Sequence, residues 1–216
     1  KNRMRGIWEN KWFAVPVLIF LVVGIFLLYT IPYGDEILFF NAWRVEPFNT
    51  VFRWCTILGE VFVYIALGIA ALLWRYRFTV LIALSGLFIL PLGYVLKDQI
   101  AIDRPKTYFE KQGVYGDVVV VPEVELNSGR TSFPSGHTLS AFTLYSMLSL
   151  IAGRKHARWG LLFALLAIAV GISRIFLVQH FLADIVAGAV ADQALPFHFA
   201  MRLTVVEPAV VKTPPT

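Results

Sequence analysis

GISRIFLVQHFLAD, residues 171–184, places Arg174, His180 and Asp184 where one long apolar run ends and the next begins. Charged groups at membrane depth are costly, so they are functional candidates by default. His180 and Asp184 stand four apart, and on a helix starting here they share one face. A carboxylate on one imidazole nitrogen fixes the tautomer and frees the other nitrogen to attack or to accept a proton. Taken alone, the stretch also fits a charge cluster that caps helix ends at a membrane surface. The sequence around it has to decide.

The surroundings are apolar. Of 216 residues, 58% are hydrophobic and only 15% charged, with a mean hydropathy of +0.70. That excludes an ordinary soluble domain and points to a polytopic membrane protein. The length suits roughly six spanning helices of ~20 residues in one domain. The net charge of +5 comes without a basic run interleaved with aromatics, so no nucleic-acid partner is expected. Cys55 is the only cysteine, which excludes an intrachain disulfide.

Taken in order, residues 1–11 form a basic segment with Trp8 near its end, read as an anchor at a cytoplasmic surface. Apolar runs then predict spans at 12–32, 51–74, 78–96, 137–153, 159–174 and 180–201. Pro91 and Gly93 are candidates to kink the third, and Pro196 to bend the sixth. Between the first two spans, Phe39, Phe40 and Trp43 suggest a short interfacial helix. Residues 98–134 are polar and long for a connection, which favours a functional loop. Within it, Val118 to Val121 reads as a strand or a membrane-hugging flap. The expected organisation is a six-span domain over 1–204 and a disordered tail over 205–216.

Orientation follows from the connections. Residues 1–11, Arg75/Arg77 and the loop from Arg154 to Arg158 are basic and fall on one side. Asp35, Glu36, Glu46, Asp117, Glu123 and Glu125 fall on the other. The positive-inside rule puts both termini in the cytoplasm and the acidic connections on the outer, periplasmic side.

Three segments then converge at that outer face: Lys97-x6-Arg104-Pro105, Pro134-Ser135-Gly136-His137, and Ser173-Arg174-x5-His180-x3-Asp184. Spans four and six begin there, so their N-termini offer unpaired N–H groups and partial positive charge. Two helix N-termini and three cations, with Asp184 as counter-charge, make a trap for a dense anion. Phosphate suits it better than carboxylate, because guanidinium forks and a ring of N–H groups match three equatorial oxygens. His137 would face His180 across the bound group, one imidazole attacking phosphorus and the other protonating the departing oxygen.

These segments resemble the tripartite signature of the type 2 phosphatidic acid phosphatase superfamily, K-x6-RP, PSGH and SR-x5-H-x3-D, without a departure. The resemblance implies an all-α membrane lipid phosphatase of bacterial type. It implies His180 as nucleophile forming a phosphohistidine, Asp184 as its orienting partner, and His137 as general acid. Lys97, Arg104, Ser135, Gly136 and Arg174 would hold the phosphoryl oxygens. It implies no cofactor, and the sequence shows no cluster with metal-ligand spacing. The partners expected are the bilayer and a lipid substrate whose headgroup faces outward. Candidates are undecaprenyl diphosphate, phosphatidylglycerol phosphate, phosphatidic acid and a lipid A phosphate. Rival readings are a lipid phosphotransferase and a non-catalytic lipid-binding or transport protein on the same scaffold.

Other polar positions stay open. Glu60 either lines a substrate entrance or is a buried structural partner, and Asp192 reads as a hydrogen-bonding group within span six. His156 and His198 carry no assigned role. A Ser135–His137 hydrolase pair is excluded, since no Gly-x-Ser-x-Gly elbow supports it.

Overall fold

A computed structural model of the chain describes residues 10–194. The segment 1–9, the end of the sixth expected span with Pro196 and His198, the side chain of Asp192 and the tail 205–216 lie outside the described residues. Apart from the loop 118–135 and short connections, the described residues are helical. In order come α1 (Lys11–Thr30), α2 (Asp35–Phe39) with a 3₁₀ turn (Phe40–Trp43), α3 (Phe48–Ile57), α4 (Val61–Trp74) and α5 (Tyr76–Ile100). Then follow α6 (Pro105–Gln112), a 3₁₀ turn (Tyr115–Asp117), α7 (Gly136–Ala152), a 3₁₀ turn (Arg154–His156), α8 (Trp159–Phe176) and α9 (Leu182–Ala194).

Among the described residues, three helices are long and apolar enough to cross a membrane, and four spans result if the bent pair α3–α4 counts as one. Of the remaining two, α7 falls outside that class for a physical reason. Helix α7 is central and buried on all sides, with Ser140, Thr143, Ser146 and Ser149 among its inward positions. A helix that does not meet lipid has no need of lipid-like composition. Helix α9 is described as far as Ala194, and that part contributes the apolar stretch Leu182–Ala191. On α1, by contrast, Leu18, Ile19, Val22 and Phe26 are left exposed, as a lipid-facing helix requires.

The core forms where α7, α8, α1 and α9 meet. Phe13 and Val17 of α1, Phe142 and Tyr145 of α7, and Ala164, Ala167 and Val170 of α8 form one buried cluster. Small residues bring the backbones close. A Cβ on Gly188 of α9 would stand 3.0 Å from the Ser135 carbonyl and 3.2 Å from the Leu139 nitrogen. Only glycine lets α9 rest against the first turn of α7.

Two expectations are corrected. The run 51–74 is not one helix: α3 and α4 meet at a 57° bend. Leu58, Gly59 and Glu60 close tight turns onto Cys55, Thr56 and Ile57, after which Glu60 is extended (φ −79°, ψ 155°). Val118 to Val121 forms no strand, because no sheet edge lies beside it. Its approach is held instead by Asn41, whose side chain donates to the Asp117 carbonyl (2.7 Å) and accepts from the Val119 N–H (3.1 Å). The expected interfacial helix is present as α2 and its 3₁₀ turn, and α5 runs through Pro91 without ending.

Candidate active site

The end of α5, the starts of α7 and α9, and the end of α8 share one end of the bundle. The turn after α8 carries the first key group. There Val178 adopts φ 56°, a left-handed conformation rare for a β-branched residue and costing about 1–3 kcal/mol. That turn folds the next two residues back, so that the N–H groups of Gln179 and His180 both donate to the Arg174 carbonyl (2.9 and 3.2 Å). His180 is thereby fixed in the interior, 1% exposed.

His180 Nδ1 lies 3.2 Å from Asp184 Oδ2, so the two pair as the spacing suggests, although His180 stands in the turn ahead of α9 and not on the helix. The same Oδ2 accepts from the Ser132 hydroxyl (2.5 Å) and the Phe181 N–H (2.9 Å). On the other side of the ring, Arg104 Nη1 stands 3.4 Å from His180 Nε2. A guanidinium can only donate, so Nε2 must carry a lone pair and Nδ1 the hydrogen given to Asp184. The tautomer is set from both ends. Arg104 is itself steered by the Gln179 carbonyl (3.2 Å) and the Thr131 hydroxyl (3.2 Å).

The remaining cations are brought to the same place. A Cβ on Gly136 would lie 3.6 Å from Lys97 Nζ, so the ammonium sits against the first turn of α7. Arg174 is 7% exposed and donates from Nη1 to Thr56 Oγ1 (2.6 Å), while its Nε finds no acceptor among the described residues. A cation beside a helix N-terminus and a buried guanidinium donor left over are each unfavourable without an anion.

Helix α7 supplies the free N–H groups. Ser135 caps it, accepting from the Thr138 N–H (3.4 Å) and hydroxyl (2.9 Å), while its own N–H donates to the Asp184 carbonyl (3.1 Å). Among the described residues, the N–H groups of Gly136 and His137 remain without a protein acceptor. Helix α9 differs from expectation. Glu36 takes the Leu182 N–H (3.0 Å) and Asp184 takes that of Phe181, so its start is largely capped by carboxylates. One helix N-terminus, not two, is open to an anion.

His137 is paired with Glu60, Oε1 to Nε2 at 2.8 Å. Glu60 also lines, with Tyr94, Lys97, Gly136 and His137, a cavity of about 260 Å³ between α4, α5 and α7. Thr56, Thr131, Ser132 and Gln179 were not singled out in the sequence, because polar loop residues outside a motif carry no local signal. Arg44, buried behind the site, donates to the carbonyls of Phe176 (2.7 Å) and Ile37 (3.0 Å) and fastens the end of α8. Burial pushes its guanidinium down to about 10. Among the described residues, no three His, Cys, Asp or Glu side chains converge as a metal cluster would require.

A cationic cradle around a locked histidine, at one end of an all-helical membrane bundle, defines an anion-handling membrane protein. The chain belongs to the PAP2 superfamily, whose sequence profile matches residues 74–191, more than half of its length. Two solved structures share the fold. LpxE of Aquifex aeolicus is 23% identical with a TM-score of 0.61, covering 80% of this chain and 93% of its own. The transmembrane PAP2 type phosphatidylglycerolphosphate phosphatase of Bacillus subtilis is 22% identical with a TM-score of 0.61, covering 93% and 100%. No curated protein matches the chain.

Proposed function

We propose that the chain is an integral membrane phosphatase that hydrolyses a lipid phosphate monoester or diphosphate through a phosphohistidine on His180. The observation that carries this reading is the series Arg104–His180–Asp184, which leaves Nε2 unprotonated and next to a phosphate-binding cation. Nε2 attacks phosphorus and the bond to the leaving oxygen breaks, with His137 giving that oxygen a proton. Water then attacks the phosphohistidine, returns a proton to His137 and releases phosphate. Lys97, Arg104, Arg174 and the N–H groups of Gly136 and His137 offset the charge on the three equatorial oxygens. Ser135 acts here chiefly as the cap that shapes the first turn of α7, with its own hydroxyl hydrogen left for an oxygen of the substrate.

Six spans with the site at the outer face complete the proposal, and they suit undecaprenyl diphosphate, phosphatidylglycerol phosphate, phosphatidic acid or a lipid A phosphate as substrate. The test is phosphate release from a panel of these purified lipids in EDTA, with and without a second lipid bearing a free hydroxyl. Release in EDTA, inhibited by orthovanadate, is expected, since fixed cations supply what a metal would. Activity that a chelator abolishes and a divalent ion restores would overturn the mechanism. Transfer to the second lipid in place of release would make the protein a phosphotransferase.

A further inference from the structure

The second histidine is held by a carboxylate that belongs to none of the three motifs. Glu60 occupies the extended link between α3 and α4, and its Oε1 lies 2.8 Å from His137 Nε2. The bend brings it there. A Cβ on Gly59 would stand 3.1 Å from the His137 carbonyl, so the link runs directly against the first turn of α7. Among the described residues the His137 ring makes no other hydrogen bond, which leaves Nδ1 as the nitrogen open to a ligand. The two histidines are therefore mounted in opposite senses. His180 is anchored through Nδ1 and presents Nε2, whereas His137 is anchored through Nε2 and presents Nδ1.

Stability does not explain the pairing, because the side chains are 26% and 43% exposed and such pairs contribute little to folding. Substrate binding does not explain it either. An unpaired carboxylate on the wall of a cavity that also holds Lys97 would repel an anionic lipid.

We infer that Glu60 is the positioning residue of His137: it fixes the ring through Nε2 so that Nδ1–H points at the departing oxygen, and its charge favours the protonated ring. This rests on the reading of His137 as the general acid. As the P–O bond breaks, the Nδ1 proton passes to the leaving oxygen, and the neutral ring keeps its Nε2–H on Glu60. When water attacks the phosphohistidine, one water proton returns to Nδ1 as the P–N bond breaks.

The test uses the full chain in detergent, with dioleoyl phosphatidate as a poor leaving group and p-nitrophenyl phosphate as a good one. Glu60→Gln is expected to lower kcat on phosphatidate by about tenfold or more, a part of the 10²–10⁴-fold that general acid catalysis supplies. On p-nitrophenyl phosphate the loss stays below about threefold, since that leaving group needs little protonation. The alkaline limb of the kcat profile moves to lower pH in the variant. His137→Ala shows the same leaving-group dependence, and adding Glu60→Gln to it costs nothing further. Should His137→Ala lose equally on both substrates, the acid reading fails and this inference with it. If His137→Ala behaves as an acid variant but Glu60→Gln loses equally on both substrates, or adds its full loss to His137→Ala, Glu60 is only structural. That result overturns the inference and leaves the acid reading standing. Should Glu60→Gln not fold, Glu60→Asp carries the comparison, and retention of leaving-group dependence near the wild type is expected.

Discussion

His180 presents a lone pair because both of its nitrogens are spoken for by groups of fixed polarity, a carboxylate that accepts and a guanidinium that donates. His180→Ala is expected to lower turnover by about a thousandfold or more, as removal of a nucleophile does, while orthophosphate still binds the cations. Turnover within tenfold of the wild type would rule out a phosphohistidine there. Ser132 tests the outer part of the same arrangement through its 2.5 Å bond to Asp184 Oδ2. Ser132→Ala is expected to lower kcat by about tenfold, near the low end of what a hydrogen bond to a charged group is worth. In an Asp184→Ala background the same change should cost nothing. An equal loss in both backgrounds would mean that Ser132 acts through the loop and not through the carboxylate.

At the level of elements, the α3–α4 bend does what a straight span could not. It puts Thr56, in the last turn of α3, on Arg174 and Glu60, in the link that follows, on His137. Gly59 makes the approach possible, since a Cβ there would meet Val170 Cγ1 at 2.7 Å and the His137 carbonyl at 3.1 Å. The side chain can yield but the carbonyl belongs to α7 and cannot. Gly59→Ala is therefore expected to destabilise by about 1–3 kcal/mol and to lower activity with it. Gly116→Ala, with nothing within 4 Å, should stay within about 0.5 kcal/mol. Thermal unfolding in detergent compares the two, and equal midpoints would dismiss the bend as a constraint. The bend was hidden in the sequence because Leu58-Gly59-Glu60 interrupts an otherwise continuous apolar run too briefly to break it. The capped start of α9 was hidden for another reason, since Glu36 lies 146 residues from the N–H it accepts. Helix α6 was legible but passed over: Pro105 stands in its first turn and Gly113 ends it at φ 73°. The motif residues were readable because each set lies at a helix end or across the short turn between two helices, where spacing constrains geometry.

For the whole molecule, the proposed side of the membrane rests on charge and on the meeting of helix ends. Lys97, Gly136, Arg174 and Asp184 come from ends that alternate along the chain, which places them together at one end of the bundle. Arg75, Arg77, Lys155 and Arg158 belong to the connections at the opposite helix ends. In the proposed topology, the rule that retains Lys and Arg in the cytoplasm sends the site outward. Cys55 is the one native thiol to replace before single cysteines are introduced. Gly116 and His156 suit the experiment because both are exposed and lie in connections at opposite ends. A cysteine at position 116 is expected to react with an impermeant maleimide in intact cells, and one at position 156 only after lysis. The reverse pattern would put the cationic cradle in the cytoplasm, where only lipids with inward-facing phosphates could reach it, and every outer-leaflet substrate would be excluded.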